Sequence, residues 1–152
     1  MNIQPCEILI VEDCDEDYDT AMVALRNTGL KQAAQRALTC EACLALLRGN
    51  PGGIALRPDL ILMDLSTPGI DGREVLREIK ADPELKTIPA VVLTTSSNPR
   101  DLAACYVYGS NAYHVKPVLF PDHVRLLEQI FNYWLQAVRL WKNDIDHMRM
   151  KC

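Results

Sequence analysis

Apolar and polar positions along the chain alternate between two periodicities. Ile8-Leu9-Ile10-Val11 is a short apolar run that ends in acids. From Asp17 to Asn27, Ala21, Met22 and Leu25 recur at helical spacing, and Gly29 stops that helix. Gln32 to Leu38 is a weak strand pattern, and Glu41 to Arg48 reads as a short helix. Asn50-Pro51-Gly52-Gly53 opposes regular structure and reads as a loop. The strongest strand runs from Asp59 to Asp64, a nearly continuous apolar run suited to burial on both faces of a parallel sheet. A turn with Pro68 and Gly69 follows, then a helix from Gly72 to Asp82 with Val75, Leu76 and Ile79 on one face. Ala90 to Leu93 is another buried strand. Asn98 and Pro99 mark a helix start, an Asn cap with Pro at the first helical position. Ala112 to Val115 is a short strand before Pro117, and a last helix is expected from about Pro121 to beyond Trp141.

Strand and helix thus alternate five times, which predicts a doubly wound, five-stranded parallel sheet with helices on both faces. The flavodoxin-like strand order is among the few topologies the handedness rules allow. Ligands of such sheets bind beyond the carboxyl ends of the strands. At those ends stand Glu12-Asp13 (first strand), Asp64 (third), Thr94-Thr95 (fourth) and Lys116 (close to the fifth). Three clustered carboxylates repel one another, and a hard divalent cation such as Mg²⁺ resolves the conflict through oxygen ligands. An aspartate is a competent nucleophile toward an activated phosphoryl group, giving an acyl phosphate. Lys116 and the Thr94 hydroxyl are suited to grip and position the phosphoryl oxygens. A phosphoryl group on Asp64 adds charge and three acceptors, and drawing Thr94 toward it would bias a bistable surface.

These residues, in this order, resemble the receiver domains of two-component response regulators over roughly residues 6–130. The likeness rests on Glu12-Asp13 and on Asp64 in DLILMDLSTPGIDG, with Pro68 and Gly72 where the family's loop expects them. Thr94 follows Asp64 by thirty positions, Lys116-Pro117 comes twenty-two further on, and Tyr113 precedes the lysine by three. The resemblance implies Asp64 as phosphoacceptor and Glu12, Asp13, Asp64 and the Ser66 backbone carbonyl as ligands of Mg²⁺, with Mn²⁺ or Ca²⁺ able to replace it. It further implies Thr94 as switch hydroxyl, Lys116 as phosphate counter-charge and Tyr113 as aromatic switch. The stretches RPDLILMDL, DGREVLREIKADPELKTIP and VVLTTS, with a Trp-bearing last helix, look closest to small stand-alone regulators partnered with cyanobacterial phytochromes. That likeness implies a sensor histidine kinase, a phytochrome, as phosphodonor. Three positions depart from the commonest family pattern, one of them Cys14, which stands after the acidic pair where Asn or another small polar residue is common. Ser66 replaces a longer side chain, and Thr95 replaces a frequent Ala or Gly, so hindrance of an attacking water and slow loss of phosphate are expected.

Composition narrows the remaining classes. The 152 residues, 49% hydrophobic, suit one domain with a substantial core. A receiver domain is expected over 6–142, with a short tail or helix extension over 143–152. A net charge of −4 argues against nucleic acid as partner. Apolar runs fall far short of the ~20 residues that span a bilayer, and the six scattered cysteines do not form a disulfide framework. A cytoplasmic, non-membrane protein is expected. Cys40-x-x-Cys43 is half of a zinc spacing without a second pair, so both are expected to pack inward. An aspartyl-nucleophile phosphatase would carry a second Asp where Ser66 stands. A flavin carrier would need a phosphate-cradling first loop, not the acidic stretch from Glu12 to Asp17. Leu127, Ile130, Phe131, Trp134, Val138 and Trp141 form one stripe of the last helix, and Leu126, Tyr133, Ala137 and Leu140 a second. The second apolar face predicts a homodimer through the fourth and fifth helix/strand face and the C-terminal helix. Output is expected through binding, with a downstream phosphotransfer protein as one candidate partner.

Overall fold

The computed structural model describes residues 2–49 and 53–141. Five strands, β1 (Asn2–Val11), β2 (Ala34–Ala37), β3 (Ile54–Met63), β4 (Ala90–Thr94) and β5 (Ala112–Val115), alternate with α1 (Asp15–Asn27), α2 (Cys40–Arg48), α3 (Gly72–Ala81), α4 (Pro99–Val107) and α5 (Phe120–Asn132). The strands form one parallel sheet in the order β2-β1-β3-β4-β5, the flavodoxin-like topology. Among the described residues no helix is long and apolar enough to cross a membrane.

Period-two alternation divides the central strands between two cores. Leu9, Val11, Ile61, Met63 and Val92 face α2, α3 and α4, where they meet Cys40, Cys43, Leu44, Leu47, Leu76, Ile79 and Cys105. Ile8, Ile10, Leu60, Leu62, Val91 and Leu93 face α1 and α5, packing on Ala21, Ala24, Leu25, Leu127, Ile130 and Phe131. Full burial of each large aliphatic is worth roughly 1.5–3 kcal/mol, so a one-residue slip of any central strand would exchange its two faces and lose both cores. Cys40 and Cys43 pack inward as expected.

Register then places the strand ends together. Val11 lies opposite both Ala37 and Met63, Met63 opposite Val92, and Thr94 opposite Val115. The backbone ladder continues one step beyond. The Glu12 N–H donates to the Ala37 carbonyl at 3.0 Å, the Asp64 N–H to Val11 at 3.1 Å and the Lys116 N–H to Thr94 at 2.8 Å. The chemistry-bearing residues are therefore the first ones after the strands, held by sheet hydrogen bonds.

Three elements differ from the sequence pattern. β1 and β3 begin well before their apolar runs, because Asn2–Cys6 pairs with Ile54–Pro58 as a two-stranded extension of the sheet. Polar residues and prolines there hide the strands from a hydrophobic pattern. The expected loop at 50–53 lies outside the described residues except for Gly53. The C-terminal helix is extended past α5, but its Tyr133–Ala137 segment is π-helical, closed by the Val138 N–H donating to the Tyr133 carbonyl at 2.8 Å. Val138 is then extended (φ −84°, ψ 137°), so the helix stops short of Trp141. The wider turn carries Val138 and Trp141 off the stripe that Leu127, Ile130 and Phe131 bury. Trp134 still packs on the α1–α5 core, and Trp141 is exposed.

Gly72, the first residue of α3, lets that helix abut the turn after β3. A Cβ there would lie 2.9 Å from Leu65 Cα and 3.0 Å from Cys40 Sγ. Gly72→Ala is expected to destabilise the fold by roughly 1–3 kcal/mol through overpacking, measured as a lower midpoint in urea. An unchanged midpoint would contradict this packing.

Candidate functional site

The β1–α1 turn, the β3–α3 turn and the end of β5 converge on one acidic pocket. Glu12, Asp13 and Asp64 each present a carboxylate oxygen, all within 4.8 Å of one another. Glu12 and Asp64 are buried, whereas Asp13 is exposed. Lys116 reaches into the cluster with its side chain only 6% exposed. Its Nζ donates to Glu12 Oε1 at 2.6 Å, Asp64 Oδ2 at 2.7 Å and Asp17 Oδ2 at 2.7 Å. Burial works against the ammonium, but its hydrogen bonds to Asp17, Asp64 and Glu12 outweigh that and raise its pKa above the ordinary lysine value. Burial pushes the Glu12 carboxyl up to about 7 against the pull of Lys116, with the Asp64 charge adding to the rise.

Glu12, Asp17 and Asp64 thus share one lysine, and Asp13 adds a fourth carboxylate beside them, which leaves the pocket with surplus negative charge. The donors are all hard oxygens, and the pocket opens at exposed Asp13. This donor set fits a divalent cation of the Mg²⁺ type and disfavours a soft metal. Asp64 is further oriented by the Ser66 N–H, which donates to its Oδ1 at 2.9 Å. Beneath the same turn, Cys40 Sγ donates to the Asp64 carbonyl at 3.3 Å and the Cys40 N–H donates to Thr67 Oγ1 at 3.1 Å.

Across the pocket, the buried Thr94 hydroxyl lies 3.2 Å from the Ser66 hydroxyl. Tyr113, partly buried, donates through its hydroxyl to the Ser96 carbonyl at 2.8 Å, on the loop that follows Thr94. Ser96 also donates to Asp101 of α4 at 2.5 Å, and Asp101 accepts from Arg73 of α3 at 3.0 Å. Arg73 in turn pairs with Asp71, the N-cap of α3.

The structure therefore brings together Glu12, Asp13, Asp64, Ser66, Thr94 and Lys116, and sets Tyr113 one loop away. It also adds residues that the sequence reading did not single out. Asp17 joins Lys116 from the first turn of α1, and Arg36 donates from β2 to the Glu12 carbonyl at 2.9 Å. A signal for Asp17 existed, since it shares a helical face with Thr20, Ala21 and Ala24, all buried. Arg36 carried none, because a polar residue on a short edge strand looks solvated.

Comparison with known proteins places this geometry. The family model described as "Response regulator receiver domain" matches residues 8–131. Response regulator Rcp1 of Synechocystis is 37% identical over 147 residues, covering 90% of this chain and 93% of that protein. The probable methanogenesis regulatory protein FilR2 of Methanothrix harundinacea is 39% identical over 131 residues, covering 86% of this chain and 84% of that protein. Among solved structures, the phosphorylated cyanobacterial phytochrome response regulator RcpA matches with a TM-score of 0.84 and 37% identity, over 91% of this chain and all of that one. The Mn²⁺-bound form of Rcp1 also matches with a TM-score of 0.84, at 35% identity over 93% of this chain and 100% of that one. A family model spanning most of the chain, on a sheet whose strand ends converge as described, shows that the chain belongs to the response regulator receiver domains of two-component signalling.

Proposed function

We propose that the chain is a single-domain phosphoacceptor switch that takes its phosphoryl group on Asp64 from a sensor histidine kinase. The observation that carries this is the Asp64 carboxylate, aligned by the Ser66 N–H and Lys116 and clustered with Glu12 and Asp13. An Asp64 carboxylate oxygen attacks phosphorus as the P–N bond of a phosphohistidine breaks and the imidazole leaves with the bonding pair, so the product is an acyl phosphate. Glu12, Asp13, Asp64 and the Ser66 carbonyl would hold Mg²⁺, or Mn²⁺ or Ca²⁺ in its place, which when bound neutralises phosphoryl oxygens. Lys116 transfers its hydrogen bond from Asp64 Oδ2 to a phosphoryl oxygen, exchanging one anion for another at little electrostatic cost. A phosphatase reading is weaker, because Ser66 offers no second carboxylate as acid or base.

The switch follows from competition for one hydroxyl. Thr94 now shares a hydrogen bond with Ser66, and a phosphoryl group offers stronger, charged acceptors. Movement of Thr94 displaces the loop whose Ser96 carbonyl holds Tyr113, so Tyr113 changes partner and the α4–β5–α5 face changes shape. That face exposes Tyr106, Val107, Val115 and Tyr133, and a groove of about 390 Å³ runs between β5 and α5, lined by Ala112, His114, Leu126 and Trp134. These exposed apolar groups support a homodimer through this face. The likeness to Rcp1 and to the phytochrome regulator RcpA supports a phytochrome as the donor kinase, and a phosphotransfer protein is a candidate acceptor downstream.

Three outcomes are expected. Incubation with Mg²⁺ and acetyl phosphate adds about 80 Da, one hydroxylamine-labile phosphoryl group, and Asp64→Asn abolishes it; a shift that survives the substitution contradicts the assignment. Exposed Thr95 adjoins the buried switch hydroxyl, so Thr95→Ala is expected to shorten the phosphoryl lifetime several-fold, followed by intact mass. Rapid loss that Thr95→Ala leaves unchanged would sink the shielding role. Light scattering is expected to give a dimer that Val107→Asp weakens, whereas a monomer with and without beryllofluoride contradicts the proposed surface.

A further inference from the structure

We infer that Arg36 is a positioning residue for the acidic pair, its guanidinium fixing the β1–α1 turn so that Glu12 and Asp13 converge with Asp64. The inference rests on the divalent-cation reading above. Arg36 sits on the edge strand β2, one residue before Ala37, whose carbonyl accepts from the Glu12 N–H at 3.0 Å. Its Nε donates to the Glu12 carbonyl at 2.9 Å, so both backbone polar groups of Glu12 are tied to β2. Its Nη1 pairs with Asp15 Oδ1, the first residue of α1, at 2.8 Å. One planar fork therefore spans the turn from Glu12, the first residue after β1, to Asp15, the first of α1, bracketing Asp13 and Cys14. The Tyr18 ring supports the guanidinium at 4.7 Å from its carbon. Nη2 is buried without a partner, a cost that a solvated surface arginine avoids.

The bracket has something to hold. Among the described residues, no side-chain hydrogen bond or ion pair fixes Asp13, so the turn backbone alone sets where its carboxylate points. The other tie within the turn is long, the Cys14 N–H donating to Glu12 Oε2 at 3.3 Å. Lysine could not replace the fork, since its ammonium is a point charge without two divergent planar donors.

Charge and position predict opposite signs for the loss of Arg36. A cation beside an acidic pocket repels a divalent ion, so if Arg36 acted only as a charge its removal would tighten metal binding. Loss of a group that orients metal ligands instead costs roughly 10–100-fold in affinity. The test is Mn²⁺ binding to the full chain, by calorimetry or electron paramagnetic resonance, at fixed pH and well below the thermal midpoint. Arg36→Met is expected to bind Mn²⁺ about tenfold more weakly, with Arg36→Lys between it and the wild type. Arg36→Met binding as tightly as the wild type, or more tightly, overturns the inference. Should Arg36→Met fail to fold, Arg36→Lys decides alone, and wild-type affinity in that variant overturns it. A wild-type chain that binds no Mn²⁺ overturns the metal reading itself, and the inference falls with it before any variant is compared.

Discussion

One ammonium group organises the carboxyl edge of this sheet. Lys116 hydrogen-bonds Glu12, Asp17 and Asp64 within 2.7 Å, from the start of the β5–α5 connection, the β1–α1 turn, the first turn of α1 and the end of β3. Without it, buried Glu12 and Asp64 would be uncompensated charges, whose desolvation costs several kcal/mol each. With it, the charge is only partly compensated, because one ammonium stands against Glu12, Asp17 and Asp64, with Asp13 beside them. That residual imbalance suits the proposed role, in which the site takes a divalent cation and then a dianion. A fully neutral pocket would bind neither well.

The sheet makes the arrangement possible. Parallel pairing puts Glu12, Asp64 and Lys116 one step beyond paired residues, where backbone hydrogen bonds still fix them. The two apolar cores lock the register, since any slip would expose Leu60, Ile61 and their neighbours. Core packing and site geometry are therefore one constraint. On the α3–α4 side, Arg73, Asp101, Ser96 and Tyr113 form a continuous polar chain from the turn after Asp64 to the rim of the site. In the proposed switch, a displacement of the Thr94 loop would rearrange that chain and so carry a change at Asp64 to the surface.

Much of this was legible in the sequence because it depends on runs and spacings. The strands from Ile8, Asp59 and Ala90 are apolar on both faces and end in the acids and the threonine, and Lys116 follows the short strand from Ala112. The parts that were hidden depend on groups without periodic signals. Asn2–Cys6 and Ile54–Pro58 are strands only because each pairs with the other. The end of the C-terminal helix at Ala137 follows from a π-helical turn, a change in hydrogen-bond step that no hydrophobic pattern encodes. Asp17 and Arg36 reach the site through long-range contacts with Lys116 and Glu12. A chain pattern shows which residues end a strand, whereas only the fold shows which neighbours lean in.

In the proposed switch, Lys116 leaves Asp64 for a phosphoryl oxygen when a phosphoryl group arrives on Asp64. A crystal structure of the chain with Mg²⁺ and beryllofluoride, an acyl-phosphate mimic, tests it most directly. Beryllium is expected on a carboxylate oxygen of Asp64, with Lys116 Nζ moved from Asp64 Oδ2 to a fluoride and the Thr94 hydroxyl turned from Ser66 toward another fluoride. Beryllofluoride bound elsewhere, or bound on Asp64 with the Lys116–Asp64 pair and the Thr94–Ser66 hydrogen bond both intact, would contradict it.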